Sequence, residues 1–149
     1  MKFASIIALG LLCCFVSGCA KKIASDPCLR MEEKAYPFYL DYFYGHPDVS
    51  LTGIRRVEQI ALASSPDVWR SMDQNSYMAL VHGRMSVGFA RVGNTEEAKH
   101  YRALAIRDFQ RRKDWNEAYQ TMFPITPSPS REEAEKTLFT MLEKLDEHY

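Results

Sequence analysis

Residues 73–112 read DQNSYMALVHGRMSVGFARVGNTEEAKHYRALAIRDFQRR, with two apolar patterns of helical period separated by Gly93-Asn94. The first pattern consists of Tyr77, Leu80, Val81, Met85, Val87, Gly88, Phe89 and Val92, and the second of Tyr101, Leu104, Ala105 and Phe109. Glu96 and Glu97 open the second pattern, where the positive end of a helix dipole favours negative charge. A link as short as Gly93-Asn94 predicts that the two helices form an antiparallel pair.

The C-terminal part predicts a short apolar segment, a loop and a final helix. Trp115, Ala118, Tyr119, Met122 and Phe123 form the short apolar face. Residues 124–130 contain three prolines and two serines and predict an extended loop. Ser130 and Glu133 have the spacing of a capping box, which opens a helix. The residues expected on the inner face of this helix are Ala134, Leu138, Met141, Leu142 and Leu145.

The N-terminal half also has helical patterns. From Pro27 to Tyr44 the pattern is interrupted at Pro37, which predicts two short helices or one kinked helix, because proline lacks a backbone donor and clashes with the preceding turn. Residues 45–48 break the chain before a helix expected from about Thr52 to Ala63. Ser65 and Pro66 then have the chemistry of a helix cap and of a first helical residue. No segment has the alternation of a strand, so the predicted fold class is all-α, built from antiparallel helical hairpins.

The overall composition indicates one packed domain. The chain has 149 residues, of which 46% are hydrophobic, and this favours a folded core over disorder. Lys and Arg number 19, and so do Asp and Glu, so net charge gives no basis for binding nucleic acid. We therefore expect a single helical domain at residues 27–149 and no nucleic-acid partner.

The first residues have the order of a secretory leader. Lys2 supplies a positive start, and residues 3–15 form an uncharged, mostly apolar stretch. This stretch is shorter than the about 20 apolar residues that a membrane-spanning helix needs. Val16-Ser17-Gly18-Cys19 follows, and it resembles the bacterial lipobox, in which an aliphatic residue and two small residues precede a cysteine.

The lipobox resemblance implies a lipid anchor at Cys19. Residues 1–18 would be a signal peptide cleaved before Cys19, whose thiol would carry acyl chains such as palmitate. Two or three chains hold a protein on a bilayer far more firmly than one, so residues 19–26 would be a lipidated N-terminus and short tether. Ala20 is not the Asp that favours inner-membrane retention in the enterobacterial pattern, so the resemblance implies the outer membrane, with the domain facing the periplasm. The alternative is an ordinary leader cut after Gly18 or Ala20, with Cys19 incidental.

Cysteine usage leaves one thiol in the exported domain. Cys13 and Cys14 would leave with the leader and Cys19 would carry the lipid, so Cys28 remains and no internal disulfide can form. A single thiol in an oxidising compartment is either buried and inert or paired with another chain. The inert interpretation is favoured, and self-association through Cys28 is the alternative.

The helical pair at residues 73–112 has a second resemblance, to the tetratricopeptide repeat. Phe89 precedes Ala98 by nine residues with Gly93 at the turn, and Ala98 and Ala105 fall at the small packing positions of the repeat. The triplet at residues 96–98 recurs at residues 132–134, a spacing of 36, close to the period of about 34 in that family. His82 departs from the pattern, since it replaces a large aromatic residue. The resemblance covers one repeat and implies a degenerate helical hairpin, while generic antiparallel helices are the alternative.

No pattern for catalysis is present. His46, His82, His100 and His148 are far apart in the sequence and have no metal-binding spacing, so we expect them at the surface or in turns. Neither a glycine-rich phosphate loop nor a nucleophile elbow occurs. The sequence therefore predicts no catalytic residue, no metal, no cofactor and no enzymatic activity.

Two groups of side chains are candidates for partner binding. An aromatic group lies at Tyr36, Phe38, Tyr39, Tyr42, Phe43 and Tyr44, and a basic group at Arg102, Arg107, Arg111, Arg112 and Lys113. We take Tyr36, Tyr39, Tyr42, Phe43, Tyr44, Arg107 and Arg111 as the candidate binding residues. Burial in the core of the domain is the favoured interpretation of the aromatic group, and a solvated helix face is the favoured interpretation of the basic group.

These patterns together lead to one leading functional hypothesis. An anchored domain of helical hairpins favours a non-enzymatic adaptor or assembly factor that binds another envelope protein. The alternative is an envelope enzyme or ligand-binding lipoprotein that uses a pocket near the aromatic group. A cleft with converging polar groups would favour the alternative, and an exposed apolar groove would favour the adaptor.

Overall fold

The structure is a computed structural model, which describes residues 26–112 and 130–147. In these two ranges the chain forms helices and no strand, which confirms the all-α class. The helices are α1 (Pro27–Tyr44), α2 (Pro47–Leu62), α3 (Val68–Ser71), α4 (Gln74–Arg91), α5 (Thr95–Gln110) and α6 (Arg131–Asp146). The leader, Cys19, the tether up to residue 25, the apolar face at residues 115–123 and the proline-rich loop up to residue 129 lie outside the described residues.

The antiparallel pair predicted around Gly93-Asn94 is confirmed by α4 and α5. Gly93 has a φ of +77°, a left-handed conformation that glycine adopts without strain, and it reverses the chain. The side chain of Asn94 then caps α5 by accepting a hydrogen bond from the backbone N–H of Glu97. Near the turn, Ser86 Oγ donates to the carbonyl oxygen of Ala98 at 2.9 Å, and the two helices run back from this contact in opposite directions.

Helix α1 runs as one helix through Pro37, so of the two expected alternatives the pair of short helices is wrong and a single helix is found. Asp26 caps its N-terminus and Pro27 occupies the first turn. Pro37 lies inside the helix on an exposed side, while Met31, Ala35 and Tyr42 are buried along the opposite side. Packing of that buried side outweighs the hydrogen bond that Pro37 cannot make.

Two other helix starts differ from the sequence-based prediction. Helix α2 begins at Pro47, five residues before the expected Thr52, because Pro47 suits the first turn and Ser50 and Leu51 face the core. Ser65 and Pro66 do not start a helix. They form a turn whose carbonyl oxygens accept bonds from the N–H groups of Val68 and Trp69, and α3 begins after it at Val68.

Helices α1 and α2 approach closely at a glycine. A Cβ atom built on Gly53 would lie 2.6 Å from the carbonyl oxygen of Phe38 and 2.8 Å from Cβ of Asp41. Beside this contact, Ser50 Oγ donates to the carbonyl oxygen of Tyr42 at 2.8 Å. The absent side chain thus lets the two backbones meet and fixes how α1 lies on α2.

The capping box of α6 is confirmed, since Ser130 and Glu133 exchange both of its hydrogen bonds. Of the five residues expected on its inner face, Ala134, Leu138 and Leu142 are buried, Met141 is half-buried and Leu145 is exposed. The buried face of α6 is therefore narrower than the apolar spacing predicts.

Helix α4 contributes to two hydrophobic clusters. The first joins α1, α2, α3 and α4 through Met31, Ala35, Tyr42, Leu51, Ile54, Val57, Ala61, Val68, Tyr77, Met78, Val81, Met85 and Phe89. The second joins α4, α5 and α6 through Ala79, Ala105, Ile106, Phe109, Ala134, Leu138 and Leu142. Since α1 packs on one flank of this arrangement, its outer side stays open to solvent. Among the helices in residues 26–112 and 130–147, we find none with the length and apolarity to cross a bilayer.

Candidate functional site

The outer side of α1 carries a row of large apolar side chains. Leu29, Tyr36, Leu40 and Tyr44 follow one another at spacings of seven, four and four residues, which places them on one face of a helix. Their exposed fractions lie between 37% and 66%. We call these four residues the α1 stripe. From Tyr36 to Tyr44 the stripe is apolar at every turn, and no element among the described residues covers it.

A cavity of about 230 Å³ lies beside the stripe. Its lining residues are Glu32, Tyr36, Tyr39, Leu40, Phe43 and Arg84. We call it the α1 pocket. Tyr36 and Leu40 belong to both the stripe and the pocket, so the two features form one surface.

Arg84 of α4 forms the base of the pocket and is held rigidly. It is 8% exposed, and its Nε and Nη2 both donate to Oδ1 of Asp146, at 3.1 and 2.8 Å. The guanidinium carbon lies 5.4 Å from the ring centre of Tyr39 and 5.3 Å from that of Phe43. Burial alone would lower the pKa of Arg84, but the hydrogen bonds and charge of Asp146 raise it, so the guanidinium stays charged.

Buried phenols support the pocket from behind. Tyr39 Oη donates to Tyr77 Oη at 3.2 Å, and Tyr42 Oη donates to Asp146 Oδ2 at 3.2 Å. Burial raises the pKa of Tyr39, Tyr42 and Tyr77, so all three remain neutral hydrogen-bonding groups. The polar groups behind the pocket are therefore paired with one another.

Glu32, at the rim of the pocket, is different. It is half-buried, and no hydrogen bond or ion pair within the described part of the chain involves it. Burial raises the pKa of the Glu32 carboxyl, while attraction from Arg84 opposes that rise. Because the donors of Arg84 are directed to Asp146, Arg84 attracts the Glu32 carboxylate without bonding to it, and no other described residue pairs with Glu32.

The predicted aromatic residues divide into three positions. Tyr36, Tyr39 and Phe43 line the pocket together, and Tyr44 continues the stripe. Tyr42 is 2% exposed, so it packs beneath the surface and is not presented to a partner. Arg84 and Glu32 also line the pocket, and neither is among the candidate binding residues predicted from the sequence. The signal for Arg84 was a charged residue inside the otherwise apolar pattern of α4.

The predicted basic residues do not join this surface. Arg107 donates from Nε and Nη2 to the neighbouring Asp108, and the backbone carbonyl of Arg111 accepts a bond from Asn75. Arg102 pairs with Glu135 of α6. Of these contacts, those with Asn75 and Glu135 join the α5 region to α4 and α6, whereas the contact with Asp108 lies within α5.

His82 is buried, so the expectation that every histidine lies at the surface or in a turn is wrong. It is 6% exposed, with Nδ1 2.7 Å from Asp108 Oδ2 and Nε2 3.2 Å from Glu58 Oε1. Burial alone would raise the pKa of Asp108, but hydrogen bonds from His82 and Arg107 hold it below its usual value. His46 and His100 are exposed, and His148 lies outside the described residues. The contacts of His82 join α2, α4 and α5.

Cys28 lies at the start of α1 and is half-buried. Its Sγ is 3.7 Å from Sδ of Met72, and burial together with the charges of Asp26 and Glu32 raises its pKa. A raised pKa lowers the thiolate fraction and hence the reactivity of the thiol. In the described ranges, His, Cys, Asp and Glu side chains form no group of three suited to a metal ion.

Comparisons of the chain with protein-family models, with curated protein sequences and with solved structures found no significant match.

Proposed function

We propose that this protein is a lipid-anchored, non-enzymatic adaptor of the cell envelope, and that it binds another envelope protein through the α1 stripe and α1 pocket. The main observation in support of this proposal is the exposed row Leu29, Tyr36, Leu40 and Tyr44, which lies beside the α1 pocket. Contiguous exposed apolar surface on a small soluble domain commonly marks an interaction site. Tyrosine in particular is enriched at protein interfaces and at their energetic centres.

Rigidity of the surface supports this proposal. Arg84 is fixed by Asp146 and by the aromatic rings around it, so the pocket requires little ordering when a partner binds. Less ordering leaves more of the contact energy for affinity. A volume of about 230 Å³ is also below the about 300–1,000 Å³ of typical small-molecule sites. It favours a side chain of a protein partner over a metabolite or cofactor.

The proposed lipid anchor limits how far α1 and its partner can lie from the membrane. Pro27 follows Cys19 by eight residues, and an extended chain of that length spans at most about 29 Å. Attached at Cys19, the start of α1 would remain within that distance of the membrane surface. The outer membrane, reached from the periplasmic side, is the location that the lipobox resemblance and Ala20 favour.

The resemblance of the α4–α5 pair to a tetratricopeptide hairpin belongs to the same proposal. Stacked helical hairpins of that family form extended binding surfaces. In this chain, however, the open apolar surface lies on α1 rather than on the pair itself.

Photo-crosslinking in the producing cells tests the proposed function. Benzoylphenylalanine placed at Tyr36, Leu40 or Tyr44 should give an adduct with another envelope protein, because these side chains would lie in the interface. The control places the same group at Lys99, an exposed residue of α5. Absence of adducts at all three stripe positions, or the same adducts from Lys99, would refute the proposed function.

A further inference from the structure

The charges beside the α1 stripe are acidic. Glu33 falls between Leu29 and Tyr36 on the same side of the helix, and Glu32 lines the pocket one turn before Tyr36. The basic residues of α1, Arg30 and Lys34, instead line a separate cavity of about 390 Å³ between α1 and the end of α2. An occupant of the stripe would therefore meet the carboxylates of Glu32 and Glu33, while the one cation that lines the pocket, Arg84, is already paired with Asp146.

Of these two carboxylates, Glu32 places the stronger requirement on a partner. It is already half-buried and has no hydrogen bond or ion pair within the described residues. Covering the pocket with a purely apolar surface would bury an unpaired carboxylate, which is costly. A cation placed beside Glu32 would remove that cost and supply the contact that Arg84 does not.

The pocket itself is suited to one large apolar side chain. Tyr36, Tyr39, Leu40 and Phe43 supply its apolar walls, and the fixed Arg84 closes its base. The spacing of four residues between Tyr36, Leu40 and Tyr44 matches that of the anchor residues along an amphipathic helix.

We infer that the α1 stripe receives an amphipathic helix of a partner protein, which inserts a large apolar side chain into the α1 pocket and pairs a lysine or arginine one turn away with Glu32. This inference rests on the proposed function and specifies its partner. Charge complementarity decides against two other occupants. A membrane surface rich in anionic lipid would be repelled by Glu32 and Glu33, and a symmetric pairing with a second copy would bring four carboxylates into one interface.

The test uses the full chain in the producing cells, with benzoylphenylalanine at Leu40. Three variants are compared, namely Glu32→Lys, Glu32→Gln and the control Glu132→Lys, which changes an exposed residue in the first turn of α6. Glu32→Lys should reduce the adduct by about tenfold or more, because it opposes like charges in a partly buried contact. Glu32→Gln should give an intermediate loss, and Glu132→Lys should leave the yield unchanged. Parental melting temperatures for the variants establish that they fold.

The crosslinked peptide supplies a second readout, since mass spectrometry should find a lysine or arginine three or four residues from the attachment point in a protein other than this chain. An undiminished adduct in Glu32→Lys would overturn the inference and leave the proposed function standing. A partner peptide without a nearby basic residue, a lipid adduct, or an adduct with a second copy would also overturn it. The proposed function itself fails if Tyr36, Leu40 and Tyr44 all give no adduct with another protein, or if Lys99 gives the same adducts.

Discussion

Buried charges in this protein join residues that are distant in the sequence. Arg84 bonds to Asp146, which lies 62 residues further along the chain, and His82 bonds to Asp108 across the α4–α5 pair. In each pair, a short charge-assisted hydrogen bond replaces the water that the buried charge has lost. Removing one partner therefore leaves the other side chain buried without that stabilising contact. At the residue scale, this chemistry fixes the relative positions of the helices behind the proposed binding surface.

Asp108→Asn tests the importance of this pairing. The substitution preserves the shape of the side chain but removes the charge that faces His82 and Arg107, so the free energy of unfolding at pH 7 should fall by about 3 kcal/mol. Chemical denaturation of the parent and the variant measures this difference. Glu96→Gln, which alters an exposed pair with Lys99, is the control and should change stability very little.

The difference between the parent and Asp108→Asn should depend on pH in a defined direction. Because the folded-state pKa of Asp108 is lowered, its contribution is present above the ordinary value of 3.8 and is lost as the pH falls through the folded-state pKa. The free energies of unfolding of the parent and Asp108→Asn should therefore approach each other as the pH falls below about 3.8. A difference in unfolding free energy that stays constant from pH 7 down to pH 3 would contradict this account of Asp108.

At the scale of elements, the sequence could predict the helix boundaries that local chemistry sets. The turn at Gly93-Asn94 and the capping box at Ser130 and Glu133 depend on backbone donors a few residues away, and both were predicted. The continuity of α1 through Pro37 depends instead on packing against α2, which is a tertiary effect. For the same reason the sequence identified the aromatic residues and their possible burial in the core, but it could not show that Tyr42 is the fully buried one or that Arg84 belongs to the site.

Gly53→Ala tests the close approach of α1 and α2. Alanine ordinarily favours a helix over glycine by about 1 kcal/mol. Here its Cβ would meet the backbone of Phe38, so the helices must separate, and the net loss of stability should be about 1–3 kcal/mol. Denaturation followed by circular dichroism measures it. Thr52→Ala, a change at the adjacent exposed residue, should have little effect, and a stabilised Gly53→Ala protein would show that the backbones are not in close contact.

At the scale of the whole molecule, the two hydrophobic clusters that share α4 form the core, and α1 packs on that core with its outer side exposed to solvent. One side of α1 is buried in the first cluster and the other carries the α1 stripe. The proposed tether before Pro27 would hold that surface near the membrane, where a partner in the envelope could engage it. The chain has no net charge, and Arg107 of α5 is already paired with Asp108. We therefore propose α1, and not a basic surface on α5, as the binding element.

The lipid anchor is the claim on which the location and the partner class depend, and metabolic labelling with radioactive palmitate tests it most directly. The parent protein should be labelled, whereas Cys19→Ser should incorporate no label and accumulate with its leader attached, because serine lacks the thiol that accepts the lipid. The matched control is the double variant Cys13→Ser, Cys14→Ser, which changes cysteines that the leader would carry away, and its labelling should equal that of the parent. Equal palmitate incorporation in Cys19→Ser and the parent would contradict the account.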